Sequence, residues 1–86
     1  MKKYQVEVKP SVLKTLEKVD PLYKGKIRDR IRLLATDPRH NGSTKLSGEQ
    51  NAYRTRVGKY RIIYEIYDSE ILVSVINIDH RKDVYR

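Results

Sequence analysis

Residues Tyr53 to Tyr67, YRTRVGKYRIIYEIY, decide the fold. Two runs rich in β-branched and aromatic residues flank Gly58-Lys59, and a two-residue Gly-X link between such runs is the signature of a type II′ β-hairpin. With those two residues as the loop, Val57 lies opposite Tyr60 and Arg56 opposite Arg61. Arg54 falls on the same side as Arg56, because side chains alternate along a strand. Three guanidinium groups then share one face of a sheet. Like charges directly opposed destabilise a strand pair, so such a face is either a solvated cationic surface or one built to receive an anion. Arginine stays protonated and carries a planar fork of donors suited to phosphate oxygens.

Outward from the hairpin, residues Lys3 to Lys9 alternate with Tyr4, Val6 and Val8 on one side, the period of a half-buried strand. Pro10 suits the first turn of a helix, and Val12, Leu13, Leu16 and Val19 recur at helical spacing. Asp20 is placed to cap a second helix with Pro21 at its first position; Leu22, Tyr23, Ile27, Ile31 and Leu34 form its apolar stripe. The basic residues Lys24 to Arg32 on that helix, diluted by Asp29, read as a solvated face. Asp37-Pro38 ends the helix, and Arg39 to Ser47 is a loop in which His40 is expected to be solvated, Leu46 buried and Lys45 part of the basic surface. After the hairpin, Asp68-Ser69 turns the chain into a strand over Glu70 to Asp79, apolar on both faces and therefore central. The order predicts an α+β fold. An N-terminal strand, a two-helix hairpin and three antiparallel strands form a four-stranded sheet with helices on one face, in a single domain over residues 1–86. On the simplest register Leu72, Ser74, Ile76 and Ile78 share the face of Arg61, and His80 continues that line.

The 86 residues include 19 Lys and Arg against 11 Asp and Glu, a formal net charge of +8, which favours a polyanionic partner. Nothing resembles the apolar run of a signal peptide or a membrane span, so export and membrane attachment are not expected. The absence of cysteine excludes disulfides and thiol chemistry and fits the cytoplasm, and two histidines without metal-ligand spacing predict neither a metal nor a cofactor.

Cleaving RNA without a metal needs a base for the ribose 2′-hydroxyl, cations for the charge developing on the phosphate, and an acid for the departing 5′-oxygen. Arg54, Arg56, Arg61 and Arg81 can supply charge. Histidine is the side chain whose ordinary pKa lies near neutrality, which makes His80 a candidate for proton transfer. Tyr85 can stack on a base or join in proton transfer. DNA lacks the 2′-hydroxyl, so the chemistry would be specific to RNA.

The ordered set Lys45-Leu46, Tyr53-Arg54-x-Arg56, Gly58-x-Tyr60-Arg61-x-Ile63-Tyr64 and His80-Arg81-Lys82-Asp83-Val84-Tyr85 resembles the RelE family of bacterial and archaeal toxins, within the RelE/ParE superfamily. The resemblance spans essentially the whole chain. It implies a ribosome-dependent mRNA endoribonuclease that cuts in the ribosomal A site by 2′-hydroxyl attack and is held inactive by a RelB-like antitoxin. By position it implies a transition-state role for Arg61, a leaving-group role for Arg81, a tail tyrosine in Tyr85, and phosphate binding by Lys45, Arg54 and Arg56. Arg54 and Arg56 stand where the best-known member has lysines. Arginine does not readily give up its proton, so a lysine-as-base scheme does not transfer, and His80 becomes the preferred proton-transfer group. The sequence stops at Arg86, so an antitoxin is not expected to displace a long terminal helix. Two other readings remain: a ParE-like gyrase inhibitor, and a non-catalytic RNA-binding or antitoxin-binding module that would tolerate loss of His80 or Tyr85.

Overall fold

The computed structural model describes residues 3–48 and 50–80. Strand β1 (Gln5–Val8) leads into helix α1 (Pro10–Glu17) and helix α2 (Pro21–Leu33), followed by β2 (Thr44–Lys45), β3 (Ala52–Val57), β4 (Tyr60–Tyr67) and β5 (Leu72–His80). Pro10 and Pro21 open the two helices, and the Asp20 carboxylate accepts the Leu22 N–H at 3.0 Å, the expected N-cap. The sheet runs β1-β5-β4-β3-β2, with β1 parallel to β5 and the other pairs antiparallel. The fold is the expected α+β arrangement with one strand more. Thr44 and Lys45 are too few to show a sequence period, and they become a strand only because the edge of β3 offers Arg54 and Tyr53 as partners.

Burial along β4 alternates without a break: Tyr60, Ile62, Tyr64 and Ile66 are buried and the residues between them are half-buried. The buried set meets Val12, Leu16 and Val19 of the α1 region, Ile27 and Leu34 of the α2 region, and Val73, Val75 and Ile78 of β5. Each fully buried Val, Leu or Ile contributes about 1.5–3 kcal/mol of transfer free energy, so this layer fixes which face of the sheet the helices cover. Leu22 leaves the expected stripe: it sits in the first turn of α2 and is 71% exposed.

Both hairpin ends show their chemistry. Gly58 has φ +58° and Lys59 does not share the positive φ, which is the pattern of a type II′ link. A Cβ on Gly58 would also overlap the ring of Tyr23, so α2 packs against the loop as closely as glycine permits. Between β4 and β5 the chain makes a 3₁₀ turn over Asp68–Glu70 and passes through Ile71 in the left-handed region, φ 51°, an uncommon place for a β-branched residue.

Strand β5 is central, as expected, but it carries a β-bulge. Ile63 pairs with Asn77 and Tyr64 with Val75, leaving Ile76 as an extra residue between them. The side-chain alternation of β5 therefore reverses at that point. The loop before β2 differs from expectation too: His40 is 9% exposed rather than solvated, because residues 37–43 fold the ring inward over the end of the core.

Candidate phosphate-binding site

The face of the sheet opposite the helices carries the arginines. Arg56 pairs with Arg61 and Val57 with Tyr60, as the hairpin reading requires, and Arg54 pairs with Ile63 one step further along the same side. What the hairpin alone could not show is the third strand. Asp79 of β5 lies opposite Arg61 and accepts from its Nε at 2.9 Å and from its Nη2 at 3.0 Å. The side chains of this bidentate pair are 20% and 35% exposed, so the pair is partly withdrawn from water and holds the Arg61 guanidinium in a fixed plane. The like-charge opposition of Arg56 and Arg61 is thereby relieved on one side. The sequence signal for Asp79 was its place directly before His80, but the register that puts it beside Arg61 depends on the bulge.

Arg54 is half-buried and Arg56 exposed, and among the described residues neither has a carboxylate partner. A further cation joins them that sequence reasoning assigned to a solvated helix face. Arg30 of α2 crosses to β3 beyond the end of β2, where its Nη1 donates to Thr55 Oγ1 at 2.6 Å and to the Arg56 carbonyl at 2.8 Å. Lys45 is not brought into this group. It pairs with Tyr53, whose ring packs on the core, and so lies on the other side of the sheet from Arg54; Thr44 is the β2 residue beside Arg54.

His80 also departs from its expected place. Because the bulge at Ile76 reverses the alternation, Leu72 and Ser74 share the face of Arg61 but Ile78 and His80 do not. His80 pairs with Tyr60 on the helix side, ring against ring edge-on at 5.0 Å between centroids. It lines a groove of about 360 Å³ with Thr15, Lys18, Tyr60 and Asp79. Tyr60 in turn accepts the Asp20 N–H at 3.1 Å, which ties the start of α2 to this end of the sheet. The groove and the arginine face meet at Asp79, since Tyr60–His80 and Arg61–Asp79 are adjacent rungs. Arg81 and Tyr85 lie outside the described residues.

At the opposite end of β4 the charges are mutually satisfied. Arg39 donates to both oxygens of Asp68 at 3.1 and 2.8 Å and to Tyr53 Oη at 3.1 Å, and Tyr4 Oη donates to Asp68 at 2.7 Å. Asp68 first and Tyr53 second hold Arg39 above its ordinary pKa, while the hydrogen bond to Asp68 raises that of Tyr4. Burial raises the pKa of Tyr64, which donates to the Pro38 carbonyl at 2.6 Å. Burial, and then the Arg30 charge, lower that of His40 against a smaller opposing effect from Asp37. His40 Nδ1 accepts the Gly42 N–H at 3.1 Å, which leaves the ring proton on Nε2, a buried atom without a hydrogen-bond partner among the described residues. These groups brace the loop over the core, with His40 close enough to α2 to feel the Arg30 charge.

Fold and site together define a class: a small basic α+β protein whose helices cover one sheet face and leave the other, rich in arginine, open to a polyanion. The comparisons name it. The model of the family described as the ParE toxin of the type II toxin–antitoxin system parDE matches residues 6–85. The putative toxin RelE1 of Methanocaldococcus jannaschii is 29% identical over 87 residues, covering 98% of this chain and 97% of its own. Toxin RelE3 of the same organism is 35% identical over 69 residues, covering 71% and 76%. Among solved structures, the toxin–antitoxin complex RelBE2 of Mycobacterium tuberculosis superposes with a TM-score of 0.80 at 25% identity, covering 94% of both chains. The archaeal RelE–RelB complex of Pyrococcus horikoshii OT3 superposes at 0.79 and 24%, covering 92% and 96%, which speaks for the fold alone. The chain belongs to the RelE family of the RelE/ParE toxins of type II toxin–antitoxin systems.

Proposed function

We propose that this protein is a ribosome-dependent endoribonuclease that cuts mRNA in the ribosomal A site, acts in the cytoplasm as a single toxin domain, and is held inactive by a RelB-like antitoxin. The observation that carries the reading is the open sheet face on which Arg54, Arg56 and the Asp79-oriented Arg61 stand together. In the reaction the ribose 2′-oxygen attacks the adjacent phosphorus and the bond from phosphorus to the 5′-oxygen breaks. The proton of the 2′-hydroxyl passes to a base, and an acid returns one to the departing 5′-oxygen. The products are a 2′,3′-cyclic phosphate and a free 5′-hydroxyl. Arg61, fixed in plane by Asp79, meets the charge that develops on the phosphate oxygens. His80, on the adjacent rung but on the helix face of the sheet, is the candidate for proton transfer to RNA that wraps around the end of β4 and β5. Arg81 and Tyr85 take the leaving-group and tail-tyrosine roles that the family resemblance implies. The antitoxins named in the complexes of related toxins support a RelB-like partner here.

Among the described residues no helix is long and apolar enough to cross a membrane, which is consistent with a cytoplasmic site of action. One observation favours a second reading. His80 faces the helix side beside Tyr60, away from the arginines, as it would in a module that binds RNA or antitoxin without cutting.

Single-turnover cleavage of A-site mRNA on purified ribosomes, followed across pH, separates the two. His80→Gln should slow cleavage by about 10² to 10⁴-fold, the range for a lost general acid or base, because glutamine hydrogen-bonds but transfers no proton. An unchanged rate removes His80 from the chemistry. Mapping mRNA ends after induction tests the activity itself: cuts within translated codons are expected, and DNA damage without such cuts would point to gyrase inhibition instead.

A further inference from the structure

The groove beside His80 differs in kind from the arginine face. Val19, Tyr60 and Ile78, all buried, form its floor, and Thr15, Lys18, Asp79 and His80 stand around them. Its volume of about 360 Å³ lies at the small end of the range for small-molecule sites, about 300–1,000 Å³. The polar groups divide by what they can do. The Thr15 hydroxyl donates to the Ser11 carbonyl at 3.0 Å, so its oxygen is left to accept. Asp79 accepts from Arg61 through one site on each oxygen, and a carboxylate has about four such sites, so it can accept again. Lys18 can only donate, and it has no carboxylate partner among the described residues. The rings of Tyr60 and His80 meet edge-on at 5.0 Å between centroids.

We propose that this groove is a nucleobase pocket, which seats the base of a nucleotide next to the bond that is cut and selects bases carrying an exocyclic amino group. The choice of RNA as the polymer rests on the proposed function. Tyr60–His80 is the end rung of the β4–β5 pair and Arg61–Asp79 the rung before it, so the groove and Arg61 lie one residue apart along the strands, about 3.4 Å, on opposite faces. A nucleotide with its phosphate at Arg61 and its base in the groove passes round the end of the sheet and carries its ribose past His80. The lining favours a base over an acidic peptide. Asp79 repels carboxylates, whereas two rings and a buried apolar floor suit a flat heterocycle, and bases of single-stranded RNA are held by stacking on aromatic side chains and by hydrogen bonds to their edges. The two acceptors, Thr15 Oγ1 and Asp79, match amino N–H donors, which adenine, cytosine and guanine have and uracil lacks. Lys18 answers the oxygens and ring nitrogens present in every nucleotide, so it adds affinity without choosing.

Cytidine and uridine 5′-monophosphates differ mainly in that amino group, and ribose 5-phosphate lacks the base. Each is titrated into the full chain, without ribosomes, while NMR follows the methyl groups of Thr15, Val19 and Ile78 in the groove and of Ile63 on the arginine face. The cytidine nucleotide should shift the groove methyls and bind several-fold tighter than the uridine nucleotide, and ribose 5-phosphate should shift Ile63 alone. Thr15→Val, which keeps the branched shape and removes the accepting oxygen, should narrow the cytidine preference; Lys18→Met should weaken both nucleotides alike. Groove methyls unmoved by either nucleotide, an equal response to ribose 5-phosphate, or equal affinity for the two nucleotides would overturn the proposal. A response to triglutamate as strong as that to the cytidine nucleotide would overturn it in favour of an acidic peptide. The titration reads no cleavage, so the two readings fail separately: a groove that takes cytidine in a protein that cuts no mRNA sinks only the nuclease, and cutting by a protein whose groove takes no base sinks only the pocket.

Discussion

Removing Arg61 should harm this protein in two separable ways. On the hairpin alone, Arg61 faces Arg56 and its loss looks harmless to folding; the bidentate contact with Asp79 changes that expectation. Exposed ion pairs are worth about 0.2–1 kcal/mol, and breaking a fully buried one costs about 3–5 kcal/mol. At 20% and 35% side-chain exposure this pair sits between the limits and is much screened, so a coupling of about 1 kcal/mol is expected. Arg61→Ala also strands the Asp79 carboxylate without that partner, so it should destabilise by about 1–2 kcal/mol, each kcal/mol lowering the melting temperature by about 4–8 °C in a chain this small. Asp79→Ala alone should cost about as much, and the double variant Arg61→Ala/Asp79→Ala should be more stable than the sum of the two losses by the coupling energy. Urea unfolding of the four proteins measures the cycle, and growth on induction measures toxicity. The decisive outcome is a double variant that regains stability yet remains non-toxic, because folding is then repaired while the phosphate-facing charge is absent. Strictly additive stabilities would refute the view of the pair as an energetic contact. Toxicity equal to the parent in Arg61→Ala would refute the placement of Arg61 at the site.

Gly58→Ala should destabilise by about 2–4 kcal/mol, part from a residue with a Cβ at positive φ and part from overlap with the Tyr23 ring; adding Tyr23→Ala should cancel the second part, and a Gly58→Ala protein with the parent's urea midpoint would contradict the packing described. His40 gives a pH signature: its folded pKa is lowered, so the unfolded chain takes up a proton that the folded one refuses, and stability present above the ordinary histidine pKa falls as pH drops through it toward the folded value. The slope cannot exceed about 1.4 kcal/mol per pH unit, and His40→Gln should remove it; an identical pH profile in that variant would exclude His40 as the source. Affinity for a RelB-like antitoxin should fall as salt rises if its contacts include the basic sheet face, and a salt-independent affinity would place the contact on apolar surface instead.

Local chemistry carried much of this molecule. The hairpin, its Gly58 turn, the Asp20 cap and the alternation of β4 depend on φ preferences, short hydrogen bonds and a period of two, all of which act over a few residues and are written in order along the chain. The opposition of Arg56 and Arg61 followed from the same rules. Tertiary structure decided what distance along the chain conceals. One extra residue at Ile76 turned His80 from the arginine face to the helix face, because a period of two has no memory across an insertion. Asp79 became the partner of Arg61 by the same shift. Arg30, read from its helix as one of several solvated cations, joined the site only because α2 crosses β3 where β2 stops, a coincidence of three elements that no local pattern encodes.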